Sequence, residues 1–290
     1  MFSRSEETRR RVSRVFARRL TVWLVLGAVC LLLVAFVVRW DSVRVRLYAG
    51  AYRLTQNRSY LERLRDLGAQ SIPALIDLAY AGPEVTEGDI CLEEAARIEN
   101  LAGLGRALSS ASREQDSRKK AAYCVLFGRL GDTQSLAFLN ESIHDASALV
   151  RGAAASAIVD IRGAGAVAQV ALMARSDPDP VTRMWCLEAV GRYKGGDVEE
   201  ALRAGLQDED STVARAALRH LPDSPDETFV VSAILGMVKH GELFEEYRQT
   251  LEQAASIKLP ALEHSNEEQR RQAGDAWLEI WRNSAHKGDS

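Results

Sequence analysis

The chain has 290 residues, 47% hydrophobic and 27% charged, with a net charge of −3. It is too apolar for a disordered chain and too charged for a polytopic membrane protein. Aromatics at 7% and only 7 Pro argue against an all-β fold, and four Cys with no CxxC spacing exclude a disulfide scaffold.

Charge is unevenly placed. Residues 1–19 hold seven Arg against two Glu, and residues 39–65 hold seven Arg against Asp41 and Glu62, so each stretch carries +5. The balance, −13, falls on 66–290. An acidic body of that size repels phosphate backbones, which argues against nucleic acid as a partner.

Between the two basic stretches, residues 20–38 contain no charge, and Thr21 is the one clearly polar side chain. Nineteen residues at helical rise cover roughly 28 Å, close to the hydrocarbon thickness of a bilayer. Trp23 and Trp40 stand near its ends, where amphipathic rings favour the interface. A soluble helix would need a polar face, which this run lacks. No small-x-small cleavage site follows it: Arg39-Trp40-Asp41 comes next, and Ala49-Gly50-Ala51 lies about a dozen residues too far on. Cys30 lacks the flanking residues of a lipoprotein site. The run predicts an uncleaved, single-pass transmembrane anchor. Six Arg within 15 residues on its N-terminal side, against four on the other, orient the N-terminus to the cytoplasm and the body to the periplasm or another extracytoplasmic space.

After the anchor, 41–55 has Val43, Leu47, Ala51 and Leu54 at helical spacing. It predicts a basic juxtamembrane stalk over 39–58, with its arginines near lipid headgroups. Ser59-Tyr-Leu-Glu62 reads as a capping box and Gly68 as a stop. Pro73 suits the first turn of a helix over 74–81, and a further helix is expected over 89–108, with 109–112 as a short linker.

A period then emerges. Lys119, Arg151, Arg183 and Arg215 stand 32 residues apart. Ala121, Ala153, Trp185 and Ala217 follow each by two, Leu126, Ile158 and Val190 by seven, and Gly131, Gly163 and Gly195 by twelve. Each block continues into a second apolar helix, as at 135–143, 166–174 and 198–206, and then an acidic turn at Asp145, at Asp177 with Asp179, and at Asp208 with Asp210. Coincident Arg, small, aliphatic and Gly positions mark helix-pair repeats. One such pair cannot bury its apolar stripe alone, so neighbours must stack. The acidic residues stand where the following helix needs an N-cap, and each Arg starts that helix within reach of a carboxylate in the adjacent turn. The ladders therefore read as structural, with a metal or anion site as the alternative.

The blocks resemble HEAT repeats of the short type also seen in phycobilin lyases. The resemblance rests on Asp145…Val150-Arg151…Ala153-Ala154…Ile158, on Asp177…Val181-Thr-Arg183…Val190-Gly191 and on Asp208…Val213-Ala-Arg215-Ala-Ala-Leu218. It covers 113–221, and more loosely 67–108. It implies an all-α fold, an α-solenoid of antiparallel helix pairs, whose general role is to bind other proteins. The resulting organisation is a basic cytoplasmic tail over 1–19, the transmembrane helix at 20–38, the stalk, a solenoid over 59–225, a divergent helical cap over 226–285 and a frayed tail at 286–290. Pro222-Asp-Ser-Pro225 interrupts the fourth copy.

Reaction chemistry has little support. None of the five His falls in a ligand spacing, and there is no GxGxxG, Walker or GxSxG motif. No catalytic residue, metal or cofactor is expected, and no small-molecule substrate. Cys91, Cys124 and Cys186 read as buried thiols, and stacking separates Cys124 from Cys186 too far for a disulfide. Trp185 occupies a slot where other copies have Ala, and either fills a gap or projects as a binding anchor. Tyr123, Arg129, Arg162, Arg192 and Tyr193 are assigned to the second helices, which in the resembled family line the concave surface; with Trp185 they are the candidate partner-binding residues. Trp277 and Trp281 form one face of the last helix, either packing the cap or docking a partner. The functional expectation is a membrane-anchored scaffold for protein–protein interaction, a subunit or assembly factor of a membrane complex. A lyase-like accessory subunit and a self-associating spacer are the alternatives.

Overall fold

The computed structural model describes residues 40–81, 85–223, 225–260, 264 and 266–285. These contain fifteen helices and no strand. The expected tail, the expected transmembrane run at 20–38 and the frayed end at 286–290 lie outside the described residues. Among those described, no helix is long and apolar enough to cross a membrane.

Helix α1 covers 40–55. It is not a free stalk: Ala49 and Tyr52 are buried, and Val45 and Tyr48 pack against the same core. Arg106 Nη1 also donates to Ser42 Oγ at 2.9 Å, tying α1 to a helix further along the chain. Helix α2 (Ser59–Asp66) follows, and the expected capping box does not form. Ser59 is already helical, and its N–H donates to Asn57 Oδ1 at 3.0 Å, so Asn57 supplies the cap. Helix α3 (Ile72–Ala79) carries Pro73 in its first turn, where the missing N–H costs nothing.

The single helix expected over 89–108 is two: α4 (Val85–Ala96) and α5 (Leu104–Ala111), the second taking in most of the expected linker. The break between them is held by the turn at 68–71. Asn100 and Ala102 carbonyls accept from the Ala69 and Gln70 N–H groups at 2.8 and 2.9 Å. Gly103, at φ 78°, lies so close to Gln70 that a Cβ there would sit 2.3 Å from the Gln70 Cβ. Local pattern favoured one helix; backbone docking between distant segments divided it.

The repeat region runs through α6 (Ser117–Leu130), α7 (Leu136–Ser142), α8 (Ala148–Arg162), α9 (Ala164–Ser176), α10 (Pro180–Val190), α11 (Gly196–Leu206) and α12 (Ser211–Leu218). Helices α4, α6, α8, α10 and α12 contact one another in succession and form one layer, and α9, α11 and the later α13 and α15 form the other. Small residues allow this: Ala153, Ala154, Ala155, Ala214, Ala216 and Ala217 are completely buried. At Gly128 of α6 a Cβ would come 2.8 Å from Ala157 Cα of α8. The block-ending glycines Gly131, Gly163 and Gly195 have φ of 66°, 56° and 136°, conformations that strain any residue with a Cβ.

The cap consists of α13 (Glu227–Lys239), α14 (Phe244–Ala255) and α15 (Glu267–Ala285). Tyr247 donates to the Leu206 carbonyl at 2.8 Å, joining the cap to α11. Trp277 is 1% exposed, tilted against Phe244 with ring centroids 4.9 Å apart and donating to the Pro260 carbonyl, so it packs the cap's core and offers nothing to a partner. Asn266 Oδ1 accepts from the Gln269 N–H at 2.9 Å and caps α15.

Candidate protein-binding groove

The charged ladder is the frame on which the site is built. Arg151, in the first turn of α8, sends Nε and Nη2 to both oxygens of Asp177 at 2.9 and 2.8 Å, and Nη1 to the carbonyls of Asp145 and Ala146 in its own turn. Arg183 in α10 repeats this on Asp208 at 2.8 and 2.7 Å, and on the Asp177 and Pro178 carbonyls. Each arginine therefore clasps its own turn and bridges to the next. In the first copy the bridge to Asp145 comes from Lys120, at 2.6 Å, while Lys119 reaches back to Asp77 at 2.7 Å. Bridging arginine moves outward at the end: Arg215 meets Glu246 of the cap in an exposed pair.

The carboxylates are occupied on every side. Asp145, Asp177 and Asp208 also accept the N–H of the residue two further on, at 2.8, 3.0 and 2.9 Å. Burial pushes the Asp177 carboxyl up, but Arg151 and the Asp179 N–H outweigh it and hold it below the usual range. At Asp145, burial is likewise outweighed by Lys120 and the Ser147 N–H. Asp179 and Asp210 cap α10 and α12 through the Val181 and Thr212 N–H groups. These acids thus spend their acceptor capacity inside the fold, and no His, Cys, Asp or Glu group among the described residues is arranged to hold a metal ion.

A groove of about 620 Å³ opens along the layer of α4, α6, α8 and α10. Leu92 and Ala96 contribute from α4, Ala121, Ala122, Val125 and Leu126 from α6, Leu149 and Ala153 from α8, and Trp185 from α10. Tyr80, Glu93, Arg118 and Arg129 supply its polar groups. Trp185 both packs and lines. Its ring fills the space over Gly152 of α8, where a Cβ would lie 2.8 Å from the Trp185 Cβ, and it also forms part of the groove wall.

The six candidate residues separate. Trp185 and Arg129 line this groove together. Tyr123, on the same helix as Arg129, is 2% exposed and faces Phe127, so it presents no surface to a partner; burial raises its phenol pKa. Arg192 and Tyr193 line a separate cleft of about 480 Å³ beside His220 and Pro222, with Arg192 paired to Asp160. Arg162 is exposed at the end of α8 and lines neither cavity. None of these lies on α7, α9 or α11, the helices that follow each block-ending Gly; they belong to α6, α8, α10 and the turn after α10. The placement on the second helices is therefore corrected: these residues lie on or just after the first helix of each block, because the arginine-bearing helices precede the glycine stops. Sequence reasoning missed Leu92, Val125 and Leu149. Ala122, Val125 and Arg129, at successive turns of α6, were the available signal.

Glu188 is engaged by both His220, at 3.0 Å, and Arg219. Cys124 and Cys186 are buried free thiols whose pKa burial pushes up to about 12, so neither is a nucleophile at neutral pH.

Consecutive helices stacked in two layers, locked by a recurrent Arg–Asp rung, define a helical-repeat protein. Residues 105–191, from α5 to the end of α10, match the family of HEAT repeats, so this part of the chain, which carries the α6, α8 and α10 walls of the groove, is similar to that family. No curated protein matches the chain.

Proposed function

We propose that this chain is a non-catalytic, membrane-anchored scaffold that binds a protein partner in the groove over α4, α6, α8 and α10. The observation that carries the reading is the groove itself: an aliphatic floor, one tryptophan wall and two rim arginines, on helices held in register by doubly hydrogen-bonded Arg–Asp rungs. Such a surface suits the apolar face of a helical segment, with acidic side chains toward Arg118 and Arg129. The likeness to HEAT repeats over 105–191, which takes in the α6, α8 and α10 walls of the groove, supports protein binding as the role. The uncharged run at 20–38 supports anchoring, with the N-terminus cytoplasmic and the repeat body on the other side of the membrane as a component of a membrane complex.

The test is photo-crosslinking from position 149 in cells, followed by purification in mild detergent. A stoichiometric protein adduct, lost when Ala122→Glu places a charge on the groove wall, is the expected result. An adduct to a second copy of the chain alone would favour a self-associating spacer. A co-purifying pigment or cofactor would favour an enzyme accessory. Protection of the repeat body from protease added to intact spheroplasts would reverse the orientation.

A further inference from the structure

Helix α1 has two apolar faces, and only one is used by the fold. Val45, Tyr48, Ala49 and Tyr52 face the core. On the other side Val43 is 40% exposed, Leu47 60% and Leu54 88%, with Trp40 at 45% beginning the same stripe. At about 100° per residue these four positions fall within an arc of about 60°, on the far side of the helix from Ala49 and Tyr52. A surface helix packed on a core carries polar residues there.

Arginines border the stripe. Arg46 and Arg53 are exposed along one edge, and Arg44 stands on the other with Asp41 and the Tyr48 ring as neighbours. Arg46, Arg53 and Arg58 make no ion pair with any described carboxylate. The stripe is thus set in the +5 segment of a chain whose remaining body, 66–290, carries −13. A second copy meeting this face would bring like charges together. The uncharged run at 20–38 ends two residues before Trp40, which puts α1 at the level of lipid headgroups when that run is in a bilayer.

We infer that the outer face of α1 lies on the surface of an anionic bilayer. Val43, Leu47 and Leu54 enter the boundary between headgroups and acyl chains, and Arg44, Arg46 and Arg53 meet lipid phosphates. Their alkyl stems cover apolar surface while the guanidinium groups stay at the phosphate level. Because the inner face of α1 is packed into the repeat body, this contact fixes how the body sits over the membrane, and the acidic remainder is repelled from the same surface. The inference rests on the anchored reading above and adds an in-plane contact to it.

The experiment uses the full chain with Cys30→Ser, since Cys91, Cys124 and Cys186 are buried. A polarity-sensitive fluorophore is attached at Leu47→Cys, at Leu54→Cys or, as an aqueous reference, at the exposed Leu235→Cys. Each protein is reconstituted into phosphatidylcholine vesicles with or without phosphatidylglycerol, and quenching by brominated acyl chains is measured. Quenching at 47 and 54 several-fold above that at 235, stronger with phosphatidylglycerol and reduced by Arg46→Gln with Arg53→Gln, is the expected result. Protein that floats with vesicles yet shows no quenching at 47 or 54 overturns the α1 contact and leaves the anchor intact. Protein that does not float overturns the anchored reading and this inference with it. Fluorophore contacts between copies without lipid quenching would show the stripe to be a self-association face and overturn it.

Discussion

The Trp185 side chain of α10 rests on the backbone of Gly152 in α8, so closely that a Cβ at 152 would lie 2.8 Å from its Cβ and 2.9 Å from its Cγ. The Trp185 Cβ is fixed to its own helix and cannot swing aside. Alanine has better helix propensity than glycine by about 1 kcal/mol, and the clash outweighs that gain. Gly152→Ala is expected to destabilise the chain by about 1–3 kcal/mol in urea unfolding. Adding Trp185→Gly, which removes the Cβ along with the ring, should relieve most of the clash, with a coupling energy of about 1 kcal/mol or more in the double-mutant cycle. Additive effects would show that the two residues do not pack as described.

Rungs of the ladder differ in burial, and their energies should differ accordingly. The Arg183 and Asp208 side chains are 15% and 11% exposed, while Arg215 and Glu246 are about half exposed. Arg183→Ala strands a partly buried carboxylate and removes two carbonyl contacts, for an expected loss of about 2–3 kcal/mol. Arg215→Ala should cost less than about 1 kcal/mol, and salt should weaken even that. Equal losses in denaturant melts would mean that the rungs do not carry the stack.

Acid should loosen the repeats in a defined direction. Asp145, Asp177 and Asp210 all have carboxyl pKa values held below their ordinary value. An unfolded Asp titrates at about 3.9, so the stabilisation is complete above that pH and lost as pH falls through the lower folded values. Thermal unfolding followed by circular dichroism should therefore drop steeply below about pH 4. Asp177→Asn should be less stable at neutral pH and show a shallower acid limb. An unchanged limb would place the acid sensitivity elsewhere.

The thiols of Cys91, Cys124 and Cys186 are buried, and at Cys124 and Cys186 burial raises the pKa to about 12. In a Cys30→Ser background a thiol reagent should label the native chain at the rate of its unfolding and react quickly in denaturant. Rapid native labelling would expose a path into α6 or α10.

The periodic parts of this architecture were legible from residues alone. Arg151, Arg183, the acidic turns and the glycines at 131, 163 and 195 are each set by backbone demands that recur every copy, and their spacing carries through to their contacts. Elsewhere the controlling interaction is remote in sequence. The break between α4 and α5 depends on Asn100 and Ala102 carbonyls meeting the 68–71 turn. At Ser59, a plausible capping box lost to Asn57 two residues earlier. Tyr123 and Arg129 share a helix, yet only Arg129 reaches the groove, because the Tyr123 side turns toward Phe127. The cap keeps one motif that spacing concealed: Arg270 donates to the His264 carbonyl six residues back, as Arg151 and Arg183 do to Asp145 and Asp177. It lies outside the 32-residue register, so no count along the chain finds it.

The forward reach of the arginines gives the stack a mechanical polarity. Doubly bonded struts join α8 and α10 to the turns ahead of them and α12 to the cap, and only the last of these stands exposed to water. A load applied through the C-terminal helices would yield first at that last joint, leaving the walls around Trp185 aligned.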